Sequence, residues 1–287
     1  MATIASRYDA PSKVPVGVDP NRASIARVYD AFLGGKDNYA IDREVFERVL
    51  SVAPEARDLA WSNRNFLTRA VRFLTDQGGI RQFLDCGSGL PTAVNTHQIA
   101  QRIDPEARVV YVDNDPVVIA HGNALLDEND YTHFVAADIF QPQDVLQNPQ
   151  VRGYLDFREP IALLQVGTLH HYTADNGGEL MQEYVDALAP GSFVAISHFL
   201  NPGTAEHQAL AERMENVFIH SPMGSGRFRS KAEIMKFIPG LEIIPPGPGM
   251  APDIVMSDMW WPDGPRLRPL SQVEECSAAV VARKPPS

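Results

Sequence analysis

Apolar positions in this chain follow two periods. From Ser24 to Thr75 they recur at helical spacing: Ile25, Val28, Tyr29 and Phe32, then Ile41, Val45, Phe46 and Val49, then Leu59, Phe66, Leu67, Ala70, Val71 and Leu74. The spacing predicts three helices, the first capped by Ser24 and stopped at Gly34–Gly35. Trp61, Asn63 and Arg64 interrupt the third stripe. From Ile80 onward short apolar runs take over, at Phe83–Leu84, Val109–Val112, Phe134–Ala136, Ile161–Val166 and 192–200, most of them followed by a helical stretch. Thr92 is the expected cap of a helix to about Arg102, and Pro116 the first position of one to about Leu126. Further helices are read at Asn176–Leu188, at 203–219, and after the capping box of Ser230 and Glu233. A sixth short strand follows Leu241, and Cys276–Ala282 gives a seventh, antiparallel after a long excursion.

Strands alternating with helices predict an α/β fold with a seven-stranded, mostly parallel sheet and helices on both faces. Residues 1–20, polar and carrying Pro11, Pro15 and Pro20, read as a flexible arm; 21–77 read as an N-terminal helical cover and 78–284 as the α/β domain.

The chemistry gathers at the carboxyl ends of the strands, where open α/β sheets bind ligands. In Phe83-Leu84-Asp85-Cys86-Gly87-Ser88-Gly89 a strand runs into a glycine turn with a carboxylate at its mouth. Gly87 and Gly89 let the backbone turn sharply and a ligand come close; the plainer reading is a surface loop. About twenty residues on, a second strand ends in Asp113, placed to grip ribose hydroxyls, with Asn114 and Asp115 in the same turn. A third strand is closed by Asp138 and Ile139, a polar and an apolar group suited to flank an adenine ring. Each aspartate alone also fits a helix cap or solvated turn; the three together favour a nucleoside site.

Other polar residues stand where the apolar pattern breaks. Gly34-Gly35-Lys36-Asp37-Asn38-Tyr39 reads either as a solvated turn between paired helices or as a lid loop over the ligand. Arg64 suits a bidentate contact with a ligand carboxylate, or the surface. His170 and His171 follow the fourth strand, and His198 is read just past the fifth. No nearby cysteine or acid completes a zinc-type spacing with the adjacent pair, so no metal is expected. Arg227, Phe228 and Arg229 are placed near the substrate opening.

Composition narrows the classes. With 36 acidic against 25 basic residues in 287, the formal net charge of −11 and the absence of a basic run argue against a nucleic-acid partner. Two distant cysteines, Cys86 and Cys276, fit a reducing compartment rather than a disulfide framework. No apolar stretch reaches spanning length and the amino terminus lacks a signal-peptide core, so a cytoplasmic protein without a membrane partner is expected. Oligomeric state has no signal here.

These motifs, in this order over about residues 20–284, resemble the actinobacterial S-adenosyl-L-methionine-dependent methyltransferase family once known only as a domain of unknown function: Arg27-Val28-Tyr29-Asp30 through Glu44, Ser62-Asn63-Arg64, Asp85-Cys86-Gly87-Ser88-Gly89-Leu90-Pro91-Thr92, Val112-Asp113-Asn114-Asp115-Pro116 and Leu169-His170-His171-Tyr172. The resemblance implies a class I methyltransferase (Rossmann-like) fold and S-adenosyl-L-methionine as cofactor. It places Asp85, Gly87, Ser88 and Gly89 at the methionine end, Asp113 and Asn114 at the ribose, and Asp138 with Ile139 at the adenine. Tyr29, Lys36, Asn38, Tyr39 and Arg64 belong to the helical cover. Cys86 and Ser88 stand where members often carry an aliphatic residue and a threonine. The implied activity is methyl transfer to an unidentified small-molecule acceptor, with His170, then His198 and Tyr39, as candidate bases. A non-catalytic sensor of S-adenosylmethionine or S-adenosylhomocysteine is the alternative. An NAD-dependent oxidoreductase is a further one, against which the third glycine of G-x-G-x-x-G is replaced by Thr92.

Overall fold

A computed structural model describes residues 17–91, 94–125 and 129–286. Most of the expected arm, the Thr92 cap and the Leu126 helix end lie outside the described residues.

The amino-terminal part folds into α1 (Ile25–Leu33), α2 (Ala40–Val52) and α3 (Ala56–Asp76). Ser24 caps α1 as its position predicts, accepting from the Arg27 amide at 3.2 Å, and Gly34 ends it in the left-handed conformation with φ +80°. There follow β1 (Gln82–Cys86), α4 (Thr96–Ile103), β2 (Arg108–Asp113), α5 (Pro116–Leu125), β3 (Thr132–Ala136), α6 (Pro142–Leu146), α7 (Pro149–Tyr154), β4 (Ala162–Val166), α8 (Gly177–Ala187), β5 (Phe193–Phe199), α9 (Ala205–Ile219), α10 (Lys231–Met235), β6 (Glu242–Ile243), β7 (Val255–Met256) and β8 (Ser277–Arg283). Helix α4 opens three residues later than the sequence suggests, with Asn95 and Gln98 forming its capping box. Ser230 and Glu233 form the box expected before α10.

The sheet has the order β3-β2-β1-β4-β5-β8-β6, with β7 also pairing β8. Strands β1 to β5 pair parallel, and β8 runs antiparallel between β5 and β6. This is the expected Rossmann-like class I methyltransferase architecture, with one more strand than counted: β7 is two residues long and its sequence shows no apolar alternation. His198 also moves, lying inside β5 rather than past its end.

Alternate residues of each strand enter two cores. Phe83, Val109, Leu164 and Ala195 face α3, α4 and α5; Leu84, Val110, Leu163 and Val194 face α6, α7, α8 and α10. A third core joins α1, α2 and the first turns of α3 to α9 through Phe32, Val45, Val49, Leu59, Met214 and Phe218. Helix α3 therefore serves both the sheet and the cover, and α9 completes the cover from the far end of the chain.

Candidate active site

The chain leaves β1 outward through β2 and β3, then returns to β4 on the other side of β1, so neighbouring strand ends diverge at the β1/β4 boundary. A cavity of about 640 Å3 opens there, roofed by α1, α3 and residues 17–24. Its size is that of a pocket for a small molecule or cofactor.

On the β1–β3 side the turn after β1 is pinned to β2: the Gly87 amide donates to the Val112 carbonyl at 2.8 Å. Gly87 has φ +71°, and a Cβ there would lie 2.4 Å from Thr168 Cγ2, so both the conformation and the close approach to the β4 turn require glycine. Gly89, with φ +64°, donates its amide to Asp113 Oδ2 at 2.9 Å, while Asp113 Oδ1 accepts the Asp115 amide at 3.0 Å. Burial raises the Asp113 carboxyl above its ordinary range, and the amides it accepts oppose that. Asp138 holds its own turn by accepting the Phe140 amide at 2.9 Å, with Ile139 beside it.

Asp85 differs from the free carboxylate the sequence suggests. It is 6% exposed and accepts a hydrogen bond from Thr96 Oγ1 at 2.7 Å. Burial pushes its carboxyl up to about 6, against the hydrogen bond from Thr96 and the nearby charge of Arg64. Arg64 lines the cavity and donates to the Val94 carbonyl.

On the β4–β5 side the wall is made of rings and hydroxyls. His170 lies in the 3-10 turn Leu169–His171 after β4, with its ring stacked on Phe199 at 3.7 Å. Its Nδ1 is buried without a hydrogen-bond partner, and burial holds its pKa well below the ordinary histidine value. His171 Nδ1 lies 2.9 Å from Ser225 Oγ. His198 Nδ1 donates to the Phe199 carbonyl at 2.7 Å, so its Nε2 is the acceptor of the Arg229 guanidinium at 2.8 Å. That network fixes a neutral imidazole with both nitrogens engaged; burial first and the Arg229 charge after it lower its pKa to about 3.

Across the cavity, Tyr29 Oη donates to the Ala60 carbonyl at 3.1 Å and accepts from Asn63 Nδ2 at 2.9 Å, and Asn63 Oδ1 accepts from Ser197 Oγ. This chain joins α1, α3 and β5 through lining residues.

The structure thus brings Tyr29, Arg64, Asp85, Gly87, Ser88, Gly89, Asp113, Asn114, Asp138, Ile139, His170 and His198 to one cavity. Lys36, Asn38 and Tyr39 are not part of its lining. Lys36 is exposed; Asn38 Nδ2 donates to Asp30 Oδ2 at 2.8 Å; the Tyr39 amide donates to Asp42 Oδ2 at 2.8 Å, and its ring packs under the Arg27 guanidinium at 4.9 Å. The loop is a brace between α1 and α2, organised by Asp30 and Asp42, and the segment 17–24 takes the covering position instead. Arg227 and Arg229 also stand behind the wall: Arg227 reaches the Thr173 carbonyl at 3.0 Å, and Arg229 the Leu169 and Tyr172 carbonyls at 3.1 and 2.7 Å. Phe228 stacks on Phe199 at 4.7 Å.

Asn63 and Ser197 were not anticipated as site residues. Asn63 sits at a helical interval from Leu59 and from Leu67, a polar residue on an otherwise apolar face, which is the one local sign of its role. Ser197 carries no such sign.

Residues 11–285 match the profile of a family described as S-adenosyl methyltransferase. Two solved structures are similar over nearly the whole chain. A provisionally assigned methyltransferase of Thermobifida fusca is 40% identical, with a TM-score of 0.86 over 94% of this chain and 98% of that one. A DUF574 family protein of Streptomyces avermitilis is 34% identical, with a TM-score of 0.84 over 93% of this chain and 99% of that one. A search among curated proteins found no match.

Proposed function

The chain belongs to the S-adenosyl methyltransferase family, and from that premise we propose that it binds S-adenosylmethionine at the β1–β3 ends and transfers its methyl group to a small molecule held at the β4–β5 ends. The observation that carries this reading is the single cavity running from the acidic turns to the histidine and hydroxyl wall.

The residues fit the cofactor. Neighbouring backbone amides, among them those of Gly89 and Asp115, use part of the acceptor capacity of the Asp113 carboxylate and orient it, and the remainder suits ribose hydroxyls. Asp138 and Ile139 suit the adenine, and Asp85 with Arg64 suits the ammonium and carboxylate of the amino-acid end. Gly87 keeps the floor of the turn free of a side chain. Bound there, S-adenosylmethionine supplies a methyl group already activated by its sulfonium.

The protein's part is alignment and exclusion of water. His198 is a strut, since both its nitrogens are engaged. Tyr39 lies outside the cavity lining. His170 keeps an uncommitted Nδ1, and its low basicity suits it to orient the acceptor by a hydrogen bond rather than to act as a strong base.

Calorimetry with S-adenosylmethionine, S-adenosylhomocysteine and NAD tests the binding half; NAD binding with no response to the other two overturns it. Transfer of a labelled methyl group to members of a metabolite panel tests the enzyme, and tight cofactor binding without transfer to any panel member would favour the sensor.

A further inference from the structure

The β4–β5 half of the cavity is built to receive a particular kind of molecule. Its apolar wall comes from Phe32, Leu59, Phe199, Phe218 and Met223, which pack as one cluster. Among the described lining residues that β4, β5, α9 and the turns following them contribute, none is a lysine, arginine, aspartate or glutamate. Of the arginines that α1 and the segment before it bring to the roof, Arg22 is exposed and Arg27 is paired with buried Asp42 at 2.8 Å, while Arg229, behind the wall, spends its donors on two carbonyls and His198. The histidines stay neutral, because burial lowers the pKa of each far below its ordinary value.

The hydrogen-bond inventory is equally one-sided. Tyr29 has given its proton to the Ala60 carbonyl, Ser197 its proton to Asn63, and His198 its proton to the Phe199 carbonyl. What remains on Tyr29 Oη and Ser197 Oγ is acceptor capacity, and His170 Nδ1 is unpaired. A carboxylate or phosphate seated here would be desolvated without a cation to meet it, which is costly.

Resting on the methyltransferase reading, we propose that the acceptor is an uncharged molecule with an apolar body that presents a hydroxyl or N–H group to Ser197 and Tyr29. On transfer, a lone pair of that oxygen or nitrogen forms the bond to the methyl carbon, the electron pair of the broken carbon–sulfur bond stays on sulfur, and the displaced proton leaves to water. Charged acceptors are discriminated against by burial without a counter-ion, and neutral ones lacking a donor by the acceptor groups they leave unpaired.

Three probes with one ring system separate these contributions: 2-naphthol, 2-methoxynaphthalene and 2-naphthoate, titrated calorimetrically at pH 7 into the full chain with and without S-adenosylhomocysteine. The expected order is 2-naphthol tightest, the methyl ether about tenfold weaker, and naphthoate weaker by about a hundredfold or more. In the Ser197→Ala/Tyr29→Phe double variant the gap between naphthol and its ether closes to less than about threefold. Naphthoate binding as tightly as naphthol, or none of the three binding to the wild-type chain, overturns the proposal. So does an unchanged gap in a folded double variant; the wild-type order decides the charge question should that variant not fold. Binding of S-adenosylhomocysteine with the probe order reversed leaves the cofactor reading standing, whereas the expected order without such binding removes the cofactor reading alone.

Discussion

The two halves of the cavity are assembled from contacts of different range. At the β2 and β3 ends the carboxylates are held by amides two residues ahead, Asp113 by Asp115 and Asp138 by Phe140, and one further bond ties Asp113 to Gly89 in the neighbouring turn. At the β4–β5 ends Tyr29 meets Ala60 and Asn63, and Asn63 meets Ser197, 134 positions away. The first half is a set of local turns aligned by the sheet. The second exists only once the cover has packed onto the sheet, so under the proposed function it is the half in which acceptor specificity can vary without disturbing the turns assigned to the cofactor.

The strongest way to break this contrast is Asp113→Ala. It removes the proposed ribose acceptor and also strands the Gly89 and Asp115 amides, so affinity for S-adenosylhomocysteine should fall by about a hundredfold or more. Unchanged affinity by calorimetry would separate Asp113 from the cofactor. His170→Ala acts on the other half: turnover of the acceptor found by the panel should fall by about ten- to a hundredfold, with cofactor affinity changed by less than about threefold. Equal losses in both quantities would mean that the two halves do not function separately.

Acidity sharpens the contrast within the first half. Asp85 is raised to about 6 by burial, above the roughly 4 of an unfolded carboxyl, so the protonated form is the one the folded protein favours. Its contribution to stability is fully present below about pH 4 and is lost as pH rises through about 6. Cofactor affinity should run the opposite way, because a ligand ammonium needs the ionised carboxylate, and should weaken by up to about tenfold per unit as pH falls below about 6. Affinity that stays flat from pH 7 to pH 5 would show that Asp85 does not meet that ammonium. The smallest effect is expected from Lys36→Ala, exposed and outside the cavity lining: cofactor affinity should stay within about twofold and stability within about 0.5 kcal/mol. A large loss of affinity would return the loop 34–39 to the site.

Much of the fold was legible because most of the longer strands and helices carry their own period and their own stop. The capping residues Ser24 and Ser230, the glycine turn after β1 and the antiparallel terminal strand all follow from neighbours in sequence. Asn95, not Thr92, precedes α4, and its partner Gln98 lies in the first turn of the helix itself, where residue type alone does not point to one cap over the other. The polar loop Gly35–Tyr39 misled for a related reason. Composition shows that donors and acceptors are present, but it does not show whether they face a ligand or, as here, two buried aspartates of adjoining helices.

By itself the sequence determined the alternation of strands and helices, the glycine turn, and the three acid-bearing strand ends, since these depend on residues close together in the chain. Tertiary structure decided that Asp85 is buried against Thr96, that His198 is tied at both nitrogens, and that Tyr29, Asn63 and Ser197 form one chain across the cavity. Burial and hydrogen-bond partners are set by whatever packs alongside, and here those neighbours come from other elements, α1, α3, α4 and the segment before α10, at separations of 11 to 134 positions.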